Sequence, residues 1–284
     1  MRIVFTMAVA AVLSIISFTV QADHVELEKK DLKCQTAIGI ETRRFVDLRH
    51  EAEVLCQNKG ATCNTDRRDR AIARASARLA TVLGRKCGSV DLSALHFPGK
   101  CDDGDGAPFS VDNLVTCITE SQERGIDAIL AVVGGSADRG HPRRCLRNIR
   151  RQAQSFTERK LRARMRCLDL QVKGRIAPFP EVDCRGDVPT GHRKTDRLIN
   201  KATARLLDIL RRRCGQVDLE ALGFPGACPP GAGTFSLADL QDCILTVSCE
   251  AVDDLIGAGF PAPTPTPTPT GTPSPTPTFT PGPV

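Results

Sequence analysis

The chain contains the stretch Cys87-Gly-Ser-Val-Asp-Leu-Ser-Ala-Leu-His-Phe-Pro-Gly-Lys-Cys101, and it contains a closely similar stretch as Cys214-Gly-Gln-Val-Asp-Leu-Glu-Ala-Leu-Gly-Phe-Pro-Gly-Ala-Cys228. Upstream of each stretch, two further cysteines stand 22 residues apart, as Cys34 and Cys56 and again as Cys145 and Cys167. The sequence is therefore a tandem repeat of one cysteine-rich unit, which is the strongest constraint on its fold.

Each unit has the pattern of a helical hairpin. In the first copy, apolar residues recur at helical spacing from Leu32 to Cys56 and from Asp66 to Cys87, with a short connection between the two segments. Two long helices with a short connection form an antiparallel pair. Thr65 is expected to cap the second helix, and Gly88 is expected to end it in the left-handed conformation.

A third helix is predicted after each repeated stretch. In Phe109-Ser110-Val-Asp-Asn-Leu114 a capping serine stands between the two apolar residues of a hydrophobic staple, and Phe235-Ser236-Leu-Ala-Asp-Leu240 has the same features. The second copy otherwise follows the first, with helices predicted over residues 143–168 and 192–214. The predicted fold is all-α: two tandem disulfide-stapled repeats, each a helical hairpin plus a third helix, over residues 23–134 and 143–260 with a linker at 135–142.

The hairpin geometry predicts which cysteines pair. Cys34 and Cys56 lie about 33 Å apart along one helix, too far for a disulfide, whereas the two ends of an antiparallel hairpin bring other cysteines level. This geometry predicts Cys34–Cys87 and Cys56–Cys63, and elimination leaves Cys101–Cys117. The second copy follows the same plan, with Cys145–Cys214, Cys167–Cys184 and Cys228–Cys243. Cys249 is left unpaired, and we expect either a free thiol or a link between two copies of the chain.

The two ends of the chain indicate export. Residues 1–22 read as a signal peptide, with Arg2 before an apolar run and Val20-Gln-Ala22 as a cleavage site. Regularly spaced cysteines are typical of oxidising compartments, so we expect a secreted, cell-surface or periplasmic protein. Residues 261–284 alternate Pro and Thr and are expected to form a disordered, extended tail.

Charge is sorted along the chain. Residues 139–213 carry 22 Lys or Arg against 7 Asp or Glu, whereas residues 214–284 carry 7 acidic residues and no Lys or Arg. The densest basic run indicates possible contacts with a polyanion such as nucleic acid, lipopolysaccharide or an acidic polysaccharide. Its candidate residues are Arg143, Arg144, Arg147, Arg150, Arg151, Arg159, Lys160, Arg162, Arg164 and Arg166. The alternative is a solvated helix face balanced by acidic segments, including those of a second copy.

No catalytic, cofactor-binding or metal-ligating pattern is recognisable in the sequence. The acidic stretch Asp102-Asp-Gly-Asp-Gly106 lacks the ligand ladder of a calcium loop, and the five histidines are scattered. The chain has no Trp and no Tyr, which disfavours surfaces that stack sugars or bases. We therefore expect no enzyme and no cofactor, but a non-catalytic binding or scaffold protein, with the polyanion-binding module as the alternative.

The chain also resembles a group of uncharacterised secreted bacterial proteins. These combine Lys/Arg-rich helices, motifs of the form Cys-Gly-x-Val-Asp-Leu-x-x-Leu-x-Phe-Pro-Gly-x-Cys and Pro/Thr-rich tails, as does this sequence from residue 34 to residue 284. The resemblance implies a surface or periplasmic location and brings no known activity.

Overall fold

The structure is a computed structural model, and it describes residues 28–262 apart from 103, 105, 138–139, 187 and 230–233. The predicted signal peptide lies outside the described residues, as does the Pro/Thr tail from residue 263 onward. Six α-helices account for most of the described chain, and its described residues contain no strand. The all-α prediction is confirmed.

The helices form two sets of three. The first set is α1 (Lys29–Lys59), α2 (Thr65–Cys87) and α3 (Val111–Val132); the second is α4 (Gly140–Val172), α5 (Arg193–Cys214) and α6 (Leu237–Gly259). Helices α1 and α4 are both longer than the sequence predicted, and α4 begins inside the expected linker. Helices α1 and α2 form one hairpin and α4 and α5 the other, while α3 and α6 pack against each other between the two copies.

Disulfides hold both hairpins closed. At the open ends they join Cys34 to Cys87 and Cys145 to Cys214, with Cα atoms 4.9 and 5.1 Å apart. These bridges span 53 and 69 residues of sequence, so each stabilises its hairpin by about 4 kcal/mol if the bridge acts by restricting the unfolded chain. The remaining four bridges are Cys56–Cys63, Cys101–Cys117, Cys167–Cys184 and Cys228–Cys243, so all six match the predicted pairs.

The repeated stretch is a turn between the second and third helices. Its Asp side chain accepts a backbone hydrogen bond two residues on, from Ser93 N to Asp91 and from Glu220 N to Asp218, each at 3.0 Å. Gly88 is not left-handed, contrary to the prediction; the left-handed residues flank Phe-Pro instead. Before it, His96 has φ 65° and its counterpart Gly223 has φ 89°, and after it Gly99 and Gly226 have φ 52° and 55°. Gly88 keeps the right-handed conformation because the helical turn continues into it, and its N–H donates to Gly84 O.

Two aromatic side chains join this turn to the third helix in each copy. The rings of Phe97 and Phe109 stack with centroids 5.8 Å apart, and those of Phe224 and Phe235 stack at 6.3 Å. Ser110 and Ser236 cap α3 and α6 as predicted, each in a reciprocal capping box. The expected cap of α2 is wrong by one residue, since the Asn64 side chain accepts from Arg67 N and Thr65 is the first helical residue.

The two copies meet most closely where α3 crosses α6. Gly125 and Ala251 occupy the same position in the repeat, and a Cβ added to Gly125 lies only 3.0 Å from the Ala251 Cβ. The small residues therefore permit the close approach of the two helices. Around this crossing the buried apolar side chains form three clusters, one in each hairpin region and one between the copies.

Candidate functional site

The predicted polyanion contacts divide into two groups according to their exposure. Six of the ten are exposed on α4 and one, Arg159, is half-buried. Arg150, Lys160 and Arg164 are buried, with 7%, 2% and 0% of their surface exposed. The prediction that these three contact a polyanion is wrong, because α4 packs against α1, α5 and α6 and so turns several of its faces inward.

Arg150 ties the two copies together. Its guanidinium donates to three backbone carbonyls: Gln57 O at 3.0 Å, Gly135 O at 2.9 Å and Val133 O at 3.3 Å. These carbonyls belong to the end of α1 and to the segment that follows α3. Arg150 is therefore a structural cross-link at the junction of the copies.

Arg164 has a similar role at the other end of α4. It donates to Cys184 O at 3.2 Å and forms an ion pair with Asp253 on α6. Cys184 lies in the long loop between α4 and α5, where Arg185 in turn donates to Phe260 O and Pro261 O at 3.1 and 3.0 Å. This loop differs in length between the copies, and its hydrogen bonds hold the carboxyl end of α6 in place.

Two of the predicted α4 cations, Arg151 and Arg159, lie in a groove shared with α5. Arg151 and Arg159 line it from α4, and Arg205, Arg212 and Arg213 line it from α5. The recess has a volume of about 630 Å³, and Asn148, Gln152 and Ser155 add uncharged hydrogen-bonding groups to its wall. Arg151 and Arg159 are eight residues apart, so their helix positions differ by about 12 Å along α4. We refer to this recess as the arginine groove.

Most of the charge in the arginine groove is unneutralised. Arg212 forms an ion pair with Asp208. Within the described part of the chain, no ion pair involves the other four arginines, Arg151, Arg159, Arg205 and Arg213. The wall contains no carboxylate, so an anionic ligand meets no like charge there. Guanidinium groups suit such a ligand because their planar fork binds carboxylate, sulfate and phosphate oxygens in pairs.

No family model, curated protein or solved structure matches this chain. The two copies of the repeat can instead be compared with each other. Counted from the first cysteine of each copy, the groove residues Arg151 and Arg159 correspond to Ile40 and Leu48 on α1, and Arg166 corresponds to Leu55. The exposed fractions of these apolar side chains are 45%, 44% and 54%. The outer face of α1 is therefore apolar where that of α4 is basic.

Sequence reasoning missed the α5 half of the arginine groove. The candidate residues ended at Arg166, although Arg205 and the run Arg211-Arg-Arg213 belong to the same basic segment. The signal was present in the hairpin prediction itself, since an antiparallel partner helix places residues near 205–213 beside residues 148–155. Farther along α5, Arg193, Arg197 and Lys201 line another open recess, of about 650 Å³.

The interior contains titratable groups whose pKa values are shifted by burial. His50 is fully buried on α1, neither ring nitrogen has a hydrogen-bond partner within the described structure, and burial lowers its pKa to about 4. Burial raises the pKa of Glu158 to about 7 and also raises that of Asp47, its counterpart in the first copy. Asp47 accepts a hydrogen bond from Arg162 at 3.4 Å, so these groups lie where α1 packs on α4.

Cys249 is a half-buried free thiol on α6, beside the apolar cluster of the second copy. Its counterpart, Glu123, accepts a hydrogen bond from Arg49 at 2.6 Å.

In the described residues, no group of three or more His, Cys, Asp or Glu side chains is placed to hold a metal ion. Of the acidic loop at 102–106, residues 103 and 105 lie outside the described residues. No helix in the described ranges has the length and apolar character of a membrane span.

Proposed function

We propose that this protein is an exported, non-catalytic binding protein whose arginine groove holds a linear polyanion. The observation that carries the proposal is the convergence of five arginines from two helices on one recess, four of them without an acidic partner in the described structure. A surface helix stabilised only by its own charges pairs them with acids three or four residues away, as Arg212 pairs with Asp208.

An acidic polysaccharide fits the groove better than a nucleic acid does. The chain has no Trp or Tyr on which bases or sugar rings could stack, which removes the main contact of a single-stranded nucleic acid but leaves the charge contacts that an acidic polysaccharide can make. Carboxylate or sulfate groups repeated along a sugar chain can be held by successive guanidinium groups, with Asn148, Gln152 and Ser155 available to hydroxyls. The wall offers the Ser155 hydroxyl but no His, Asp, Glu or Cys to act as a base for it, which supports binding rather than catalysis.

An exported location agrees with the cysteine chemistry. Six disulfides persist in oxidising surroundings and are rare where thiols are kept reduced. The amino-terminal segment reads as a signal peptide, and the resemblance described above also implies a surface or periplasmic site. We therefore place the binding activity outside the cytoplasm.

Heparin affinity chromatography tests the groove directly. The variant Arg151→Gln/Arg159→Gln/Arg205→Gln removes three groove charges, and the matched control Arg70→Gln/Arg85→Gln/Lys86→Gln removes three exposed charges from α2. We expect the groove variant to elute at much lower salt than the control, with at least a tenfold loss of affinity for heparin. Equal elution of the two variants, or passage of the wild-type protein through the column at low salt, contradicts the proposal.

Scaffolding by self-association is the competing function. The acidic α6 of one copy of the protein could pair with the arginine groove of another, since residues 214–284 carry only acidic charge. Sedimentation velocity at low and high salt separates the two ideas. A monomer that binds heparin supports the groove as a ligand site, whereas salt-sensitive oligomers that are lost in the groove variant support assembly.

A further inference from the structure

The first hairpin has a cleft of a different chemistry at its closed end. It lies between the last turns of α1 and the first turns of α2 and has a volume of about 360 Å³, within the range of ~300–1,000 Å³ typical of small-molecule sites. Its floor is apolar, formed by Leu48, Ala52 and Leu55 of α1 and Ala71 of α2. We call it the apolar cleft.

The apolar floor is not explained by folding. Leu48 and Leu55 expose about half of their surfaces, at 44% and 54%. In the second copy the same helix positions are occupied by Arg159 and Arg166, and the hairpin forms there with the corresponding pair of helices and the corresponding disulfide at the open end. A hairpin of this type therefore does not require apolar residues at these positions, so their exposure indicates a ligand.

The edge of the apolar cleft is cationic. Lys59, Arg67 and Arg74 line it, and no ion pair involves their side chains in the described residues. Arg68 also lines it, but its charge is held by Glu53 at 3.5 Å and Asp69 at 2.8 Å. One carboxylate, Glu51, stands at the same edge. Three free cations against one carboxylate favour an anionic group above the apolar floor.

From this combination we propose that the apolar cleft binds a medium-chain fatty acid. The acyl chain lies over Leu48, Ala52, Leu55 and Ala71, and the carboxylate pairs with the cations at the edge. Leu48 and Leu55 are about 10 Å apart along α1, so the floor is a narrow trough suited to one chain. A stable interface between two copies requires about 1,200 Å² of buried surface, far more than two half-exposed leucines provide.

Isothermal titration of the mature protein with sodium dodecanoate below its micelle-forming concentration tests the proposal. We expect saturable binding of one dodecanoate per chain. The variant Leu48→Ser/Leu55→Ser removes the apolar floor without changing charge, and we expect at least a tenfold loss of affinity. The control Leu198→Ser alters an exposed leucine on α5, outside the cleft, and should bind as the wild type does.

The charged edge is tested by a second variant and a neutral probe. Arg67→Gln/Arg74→Gln should weaken dodecanoate binding severalfold and leave the binding of dodecanol unchanged. This variant keeps the apolar floor, so it remains informative if the serine variant does not fold. The proposal is overturned if the wild type does not bind dodecanoate, or if both cleft variants bind it as the control does. Binding of phosphatidylglycerol vesicles in place of monomeric dodecanoate, or concentration-dependent dimers that the serine variant abolishes, also overturns it.

Discussion

The two hairpins share a scaffold and differ on their outer faces. Both are long helix pairs closed by a disulfide between the start of one helix and the end of the next, and both lead into a turn with stacked phenylalanines. On the first hairpin the outer positions are leucine and isoleucine, and on the second they are arginine. Residues that both copies share explain the fold, while residues that differ at exposed positions are those free to serve binding.

The largest effect on stability is expected at the buried residue Arg150. Arg150→Ala leaves the carbonyls of Gln57, Val133 and Gly135 without their donor, and we expect unfolding free energy to fall by about 4 kcal/mol. Urea denaturation followed by circular dichroism measures this loss.

The adjacent residue supplies the control for Arg150. Arg151→Ala also replaces an arginine by alanine, but this arginine lines the arginine groove. We expect it to change stability by less than about 0.5 kcal/mol and to weaken heparin binding. Equal destabilisation by the two substitutions contradicts the division of α4 into structural and binding arginines.

The next largest effect on stability is expected at a buried position where the two hairpins differ. His50 in α1 corresponds to Leu161 in α4, and both side chains are fully buried. The folded pKa of His50 is about 4, below the ordinary value of 6.5, so the unfolded chain takes up the proton first as the pH falls. The stability that depends on neutral His50 is fully present above pH 6.5 and is lost as the pH falls toward 4, by about 3 kcal/mol.

The variant His50→Leu tests that pH dependence. It copies the residue of the second hairpin and should remove this part of the acid destabilisation, which denaturation curves at pH 7, 5.5 and 4 measure. Glu158 should affect stability in the opposite direction. Its pKa is raised to about 7, so the stability that depends on protonated Glu158 is lost as the pH rises from about 4.5 to 7. An unchanged pH profile in His50→Leu contradicts the assignment to His50.

Only a small effect on stability is expected from exchanging the outer faces. Ile40→Arg/Leu48→Arg/Leu55→Arg gives α1 the residues of α4, and stability should change by less than about 1 kcal/mol because all three side chains are exposed. The same variant should lose dodecanoate binding and elute from heparin at higher salt than the wild type. If it gains no affinity for heparin, the arrangement of arginines on both helices matters more than their number.

Much of the fold follows from the sequence for physical reasons. Helical periodicity together with cysteine spacing defines the hairpins, and the limited reach of a disulfide then selects the pairs. The capping roles of Ser110 and Ser236 could be predicted because a helix cap and a hydrophobic staple involve only residues that are close in sequence. The prediction for Gly88 is wrong because the end of a helix depends on the turn that follows. The left-handed positions of that turn lie farther on, first at His96 and Gly223 and then at Gly99 and Gly226.

Only about half of the proposed binding surface could be predicted from the sequence. Charge density identified α4, but an arginine that points at carbonyls of another helix looks the same in sequence as one that points at solvent. Arg150 and Arg164 are buried because α4 is covered by three other helices, which is a property of the assembled fold. The α5 arginines belong to the groove only because the hairpin brings them beside α4. The apolar cleft was not predicted, since Leu48 and Leu55 fit the helical pattern of core residues equally well.

The contact of Gly125 with Ala251 joins two equivalent halves that belong to one polypeptide. Two separate chains meeting through such a crossing would come apart on dilution, because dimer stability depends on protomer concentration. Joined in one chain, each half meets the other at a high effective concentration that dilution does not change. Because the two halves belong to one chain, their sequences can differ. One molecule can therefore present an apolar surface and a cationic surface at the same time.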